Sequence, residues 1–206
     1  MSSLAGHVYE FEPHEGPRTL LLLHGTGGNE NDLLPLGREL DPHAHLLSPL
    51  GNVSENGMAR FFKRRTEGTF DREDLAVRSA ELAAFVRAAA EKHDLVDIVG
   101  VGFSNGANIL LHMICTDPHL LKAAILLRPM SAALPDSITN LDGLPAFIGA
   151  GQTDEMVPHG DSERLESVLR SGGATVMLRM TESGHRLTQE DIDRAREWLA
   201  RLPIYD

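Results

Sequence analysis

Val96-Asp97-Ile98-Val99-Gly100-Val101-Gly102-Phe103-Ser104-Asn105-Gly106-Ala107-Asn108 passes from an apolar strand-like run into a helical run with almost no loop between them. The junction, Gly102-Phe103-Ser104-Asn105-Gly106, fits the pattern G-x-S-x-G. A serine on such a turn is held in a strained backbone conformation that exposes its Oγ, and the glycines let strand and helix approach closely. The helix that follows, residues 105–116, would direct its free N–H groups and positive end toward the serine. The pentapeptide alone is a weak pattern. In a strand–turn–helix context it predicts a nucleophile at Ser104.

Working outward, short apolar runs recur at residues 19–23, 45–48, 123–127, 146–150 and 175–180, besides 96–101. Several are continuous rather than alternating, as expected of strands covered on both faces. Residues 7–11 read as an antiparallel edge strand. Helical stretches alternate with the runs. Residues 71–93 place Leu75, Leu82, Phe85, Val86 and Ala89 on one stripe, and residues 161–170 do the same with Leu165, Val168 and Leu169, with Asp161 as the expected N-cap. Residues 188–201 carry Ile192, Ala195, Trp198 and Leu199 on one face. The pattern predicts a mostly parallel central sheet with helices on both faces in a single domain spanning residues 1–206. Residues 49–70 lack periodicity, being rich in Gly and Asn at first and then aromatic and basic, and are expected to cover or line a site.

A serine nucleophile needs a base and an acid that orients it. Asp154 leaves the run at 146–150 through Gly151-Gln152-Thr153, the position expected for the acid; an ordinary loop aspartate is the bland alternative. His185 follows the last strand-like run through Glu182-Ser183-Gly184, the position expected for the base. Ser104, Asp154 and His185 thus occur in the chain order that this chemistry uses on a parallel sheet. Oxyanion donors are expected at the backbone N–H of Asn105 and of Thr26, the latter in the Gly-rich turn Leu23-His24-Gly25-Thr26-Gly27-Gly28. His24 is expected to organise that turn by hydrogen bonds. The turn lacks the lysine of a phosphate-binding loop.

These pieces resemble the phospholipase/carboxylesterase family of α/β-hydrolases, which includes acyl-protein thioesterases and small bacterial carboxylesterases. The similarity rests on 23–28, 102–106, Gly151-Gln152-Thr153-Asp154-Glu155-Met156-Val157-Pro158 and Ser183-Gly184-His185, in that order along nearly the whole chain. Residues 25–36, 51–58 and Leu127-Arg128-Pro129-Met130 are more similar still to carboxylesterases associated with hydroquinone and catechol response in bacteria. The resemblance implies an α/β-hydrolase fold, a Ser104–His185–Asp154 triad, no cofactor, small carboxylic esters as substrates and a homodimer. Two departures stand out: Ala150, where many members carry histidine, and Arg128-Pro129, where they carry small residues. The second argues against long acyl chains. An acyl-protein thioesterase or lysophospholipase, and a noncatalytic small-molecule binder on the same fold, are the competing readings.

Composition narrows the partners. The 206 residues carry 19 basic and 30 acidic side chains, a formal net charge of −11, which disfavours nucleic acid and anionic membranes. No apolar run reaches membrane-span length and no secretory signal precedes the first strand, so the protein is expected in the cytoplasm. Its one cysteine, Cys115, reads as a core residue. Asp41, His43 and His45 alternate, but nothing supports a metal site. Arg128, just after a strand, is a candidate for holding a carboxylate or phenolate of the substrate; a salt bridge with Glu55 or another acid is the alternative. Met58, Phe61 and Phe62 are candidates for an apolar wall over the acyl group, against the alternative of ordinary loop packing.

Overall fold

The computed structural model describes residues 2–66 and 69–204. Eight strands form one sheet: β1 (Ser2–Leu4), β2 (His7–Glu12), β3 (Arg18–Leu23), β4 (His45–Pro49), β9 (Asp97–Phe103), β10 (Ala123–Leu127), β11 (Pro145–Gly151) and β12 (Thr175–Thr181), in the spatial order β1-β2-β4-β3-β9-β10-β11-β12. From β4 to β12 every pairing is parallel, while β1–β2 and β2–β4 are antiparallel. The expected antiparallel strand at 7–11 is therefore present, but it is not the edge. β1 pairs along its outer side and takes that place. The other four strands make two small antiparallel pairs outside the main sheet: β5 (Val53–Glu55) with β6 (Met58–Arg60), and β7 (Arg64–Thr66) with β8 (Thr69–Phe70). These fill the stretch read as irregular, whose residues 67 and 68 lie outside the described ones. Three-residue strands are too short for an alternation to register in a sequence.

Among the described residues, five α-helices cover the sheet: α1 (Leu34–Leu40), α2 (Arg72–His93), α3 (Asn105–Thr116), α4 (Asp161–Ser171) and α5 (Gln189–Leu199). Side chains alternate across a strand, and β3 shows the consequence. Leu21 and Leu23 join a core with Phe85 of α2, Leu110 of α3 and Leu165 of α4, while Leu20 and Leu22 join one with Leu36 of α1 and Trp198 of α5. A continuous leucine run is stable there because both faces are dry. Helix α1 escapes a periodicity search because it has only seven residues, with a proline in its first turn.

The helix ends follow local chemistry. Asp71 caps α2 by accepting from Asp74 N–H, and Thr188 and Asp191 form a reciprocal capping box on α5. Asp161, the expected N-cap of α4, is instead its first helical residue; Gly160 is the cap, and the Asp161 carboxylate accepts from the Ser131 N–H and hydroxyl. From β3 the chain runs through α1 to β4 on one side, then returns through α2 to β9 on the other. This reversal opens a crevice at the C-terminal ends of β3 and β9, where ligands bind in open α/β sheets. Leu23 and Gly102 are register partners, so the turn carrying Thr26 and the turn carrying Ser104 emerge side by side.

Candidate active site

Ser104 sits between β9 and α3 with φ 52 and ψ −112, a conformation that non-glycine residues avoid. Two contacts hold it: Ser104 N–H donates to Leu127 O at 2.9 Å, and Asn108 N–H donates to Ser104 O at 3.0 Å. The flanking glycines are required by close approach. A Cβ on Gly102 would lie 2.5 Å from Gly106 O, and one on Gly106 would lie 2.0 Å from Leu23 O.

Asp154 and His185 arrive from the ends of β11 and β12. His185 Nδ1 lies 2.9 Å from Asp154 Oδ2, and Nε2 lies 2.9 Å from Ser104 Oγ. An ionised carboxylate can only accept, so Nδ1 carries the proton and Nε2 is left to accept from the Ser104 hydroxyl. The other carboxylate oxygen of Asp154 accepts from Met156 N–H at 2.9 Å. The Asp154 side chain is buried, whereas that of His185 is partly open to the cleft. The two loops are stitched together: Gln152 N–H donates to Thr181 O and Thr153 N–H to Ser183 O.

On the opposite side, Thr26, Ser104 and Asn105 line one cleft of about 280 Å³ with Phe70, Asn108, Met130, Met156 and His185. Asn105 is the first residue of α3, so its N–H has no acceptor within the helix. Its side-chain Oδ1 accepts from Phe61 N–H at 2.8 Å. Thr26 Oγ1 accepts from Arg60 Nη1 at 2.7 Å, which fixes the turn. His24 donates from Nδ1 to Gly25 O at 2.7 Å and accepts at Nε2 from Gly51 N–H at 3.0 Å. Burial lowers its pKa, against the backbone hydrogen bond and the nearby Asp32 and Glu30. It is therefore a neutral strut between the turn and residue 51.

Arg128 takes the alternative reading, a salt bridge with an acid, and that acid is Asp191. Its side chain is fully buried, and its guanidinium makes a two-pronged pair with Asp191: Nη1 to Oδ1 at 3.1 Å and Nη2 to Oδ2 at 2.6 Å. Nε and Nη2 also donate to Gly184 O, Ser183 Oγ and Arg186 O, the residues on either side of His185. Glu55, the acid named as a possible partner, pairs with Arg60 and Arg64 instead. Asp191 also accepts from Thr181 Oγ1, Thr188 N–H and Thr188 Oγ1. Burial raises the pKa of its carboxyl, but the hydrogen bonds from Arg128, Thr188 and Thr181 outweigh that and leave it below the ordinary value. Arg128 thus braces the His185 loop.

For Phe61 and Phe62 the alternative of ordinary packing holds. Phe61 and Phe62 are buried in the core behind the cleft, where Phe61 packs on the His24 ring at 4.7 Å. Met58 is exposed and lies opposite Gly27. Phe70, Met130 and Met156 supply the apolar lining instead, and Arg60 and Arg64 the charge. The basic character of residues 60–65 was visible in the sequence, but which side chains turn inward was not. Asp191 was hidden among the acidic residues of an ordinary helix start. Among the described residues no group of three or more His, Cys, Asp or Glu side chains could hold a metal ion. Cys115 is buried, and burial pushes its thiol up to about 12.

The family described as Phospholipase/Carboxylesterase matches residues 11–202. MhqD of Bacillus subtilis (strain 168) is 47% identical over 194 residues, spanning 93% of this chain and 96% of its own. The carboxylesterase of Bacillus cereus superposes with a TM-score of 0.90 at 42% identity, over 95% of this chain and 93% of that one. YahD, determined with malic acid, superposes with a TM-score of 0.88 at 31% identity, over 94% and 98%.

Proposed function

The chain belongs to the phospholipase/carboxylesterase family of α/β-hydrolases, and from that membership we propose that it is a serine carboxylesterase acting on small esters. The observation that carries this reading is the pair of 2.9 Å contacts joining Ser104 Oγ to His185 Nε2 and His185 Nδ1 to Asp154. Ser104 attacks the ester carbonyl while His185 takes its proton. Asp154 holds the imidazole tautomer and stabilises the imidazolium. The N–H groups of Thr26 and Asn105 receive the negative charge that develops on the carbonyl oxygen. His185 then returns the proton to the leaving alcohol, and activates a water that hydrolyses the acyl-enzyme. No cofactor takes part.

The size of the cleft supports a small substrate. Its roughly 280 Å³ lies at the lower end of ligand pockets, whereas a long-chain thioesterase or lysophospholipase needs an extended apolar groove. Malic acid, found with YahD, is a molecule of that scale. The proposal includes one catalytic domain over residues 1–206, acting in the cytoplasm, with a homodimer carried over from the family resemblance. Among the described residues no helix is long and apolar enough to cross a membrane.

The test is hydrolysis of p-nitrophenyl acetate, butyrate and octanoate by the native protein and by Ser104→Ala. Loss of the nucleophile is expected to lower kcat on the order of 10⁴-fold or more, with the acetate or butyrate preferred by the native protein. Full activity in Ser104→Ala would overturn the mechanism, and preference for octanoate would move the assignment to the thioesterase side.

A further inference from the structure

The cleft beside Ser104 is apolar at Phe70, Met130 and Met156, and cationic where the two small antiparallel pairs meet. Arg60 ends β6 and Arg64 begins β7, and both line the cleft. Arg60 is buried and fixed: Nε donates to Phe62 O at 3.1 Å and Nη1 to Thr26 Oγ1 at 2.7 Å. Arg64 is half-buried and donates Nε to Glu55 Oε1 at 3.4 Å. Its terminal amino groups donate no hydrogen bond among the described residues. Glu55 also lies 3.2 Å from Arg60 Nε, so one carboxylate is shared between two guanidinium groups. Burial lowers the pKa of Arg60, and the charge of Arg64 lowers it further, against the pull of Glu55.

The other charges around the cleft do not relieve this pair. Arg128 is neutralised by Asp191. Glu155 is exposed at the rim, where water and salt screen it. Two cations held together out of bulk water cost free energy that a second anion would recover, and a planar fork suits a carboxylate. We propose that the substrate carries a carboxylate, which Arg64 grips with Arg60 behind it while the ester carbonyl lies over Ser104. The substrate class is therefore small esters with a free acid group, such as monoesters of short dicarboxylic acids or esters of short hydroxy acids. This assignment rests on the serine-esterase reading above.

The experiment compares each acid ester with its neutral counterpart by initial rates in a pH-stat. Monomethyl against dimethyl glutarate places the carboxylate on the acyl side; acetoxyacetate against its methyl ester places it on the alcohol side. The native protein is expected to favour the acid ester about tenfold or more in kcat/KM in one arm, the scale of a charged hydrogen-bonded contact. Arg64→Gln brings that ratio to about one, and Arg64→Lys, which keeps the charge but loses the fork, falls between; thermal melting checks that each variant is folded. Equal or better turnover of the neutral ester in both arms, or a preference that survives Arg64→Gln, overturns the proposal while leaving Ser104-dependent hydrolysis of p-nitrophenyl acetate intact. If no ester is hydrolysed at all, the esterase reading fails and calorimetric titration with glutarate decides the anion site separately. Binding lost in Arg64→Gln then upholds the site, and absence of binding overturns it.

Discussion

The two sides of Ser104 are built on different principles. On one side, Asp154 and His185 hang from the ends of parallel strands, and their loops are bound to one another and to the buried Arg128–Asp191 pair. On the other, β5 with β6 and β7 with β8 form short antiparallel pairs outside the main sheet, joined to the rest by hydrogen bonds that include Gly27 N–H to Ala59 O, Phe61 N–H to Asn105 Oδ1, Gly51 N–H to His24 Nε2 and Arg60 Nη1 to Thr26 Oγ1. The side carrying Asp154 and His185 is knit by loop-to-loop hydrogen bonds and by one buried ion pair that serves several of its residues. The other side is joined by separate contacts and by the buried Phe61 and Phe62, and it is also where Arg60 and Arg64 enter the cleft. In the proposed mechanism, chemistry that must hold atoms within a fraction of an ångström is set on the sheet, while recognition is carried by an appended segment.

The contrast can be broken most severely at the brace. Arg128→Met leaves the Asp191 carboxylate buried without its cation, which is expected to cost about 3–5 kcal/mol, and to lower the melting temperature by roughly 10 °C. Urea unfolding measures the first and calorimetry the second. The double variant Arg128→Met/Asp191→Leu removes both charges and is expected to regain most of the stability, yet kcat should remain at least about tenfold below native because Ser183, Gly184 and Arg186 have lost their common donor. Recovery of kcat together with stability would show that the pair serves folding alone.

A smaller effect is expected on the other side. Asn105→Ala takes away the acceptor of Phe61 N–H, a buried donor, at a cost of about 1–3 kcal/mol by urea unfolding. Its kinetic signature should fall mainly on KM, since the displaced segment carries the arginines rather than the triad.

Acidification separates the sides most gently. His7 Nδ1 donates to Leu50 O at 3.2 Å and His24 Nε2 accepts from Gly51 N–H, so two histidines fasten the start of the segment. Burial lowers both pKa values from 6.5. Between that value and the lower folded one, the unfolded chain binds protons that the native chain does not. Their stabilisation is therefore full above pH 6.5 and declines as pH falls, by up to about 1.4 kcal/mol per pH unit for each histidine. Asp191 behaves in the opposite range: with its folded pKa below 3.8, its contribution is present above that value and is lost only as pH falls through the folded pKa. Between about pH 4 and 6.5 the segment should loosen while the brace holds. Hydrogen exchange at pH 5 is expected to show faster exchange at Gly51 and Phe61 than at neutral pH after correction for intrinsic rates, with Thr153 and Ser183 protected as before.

Much of this architecture was legible from residue order. The turn at Ser104 could be read because only glycine tolerates the contacts at 102 and 106, so the requirement is written into residue type. Strands buried on both faces announced themselves as continuous apolar runs, as at 20–23. Asp154 and His185 could be placed because parallel strands deliver their following loops to one end of the sheet. Residues 53–70 were less legible. Their strands run two or three residues, below the length at which alternation carries information, and their arginines look like any solvated basic stretch.

Residue order alone was enough for the fold class, the strained turn at Ser104 and the order of the candidate catalytic groups, because each depends on local backbone requirements or on periodic burial. The packing of distant segments was needed to show that Arg128 pairs with Asp191, that Phe61 and Phe62 join the core, and that Arg60 and Arg64 share Glu55 in the cleft. A long side chain has several partners within reach of its stem. Which one it takes depends on charges and apolar surfaces that come together only when distant segments pack, and no spacing along the chain encodes that choice.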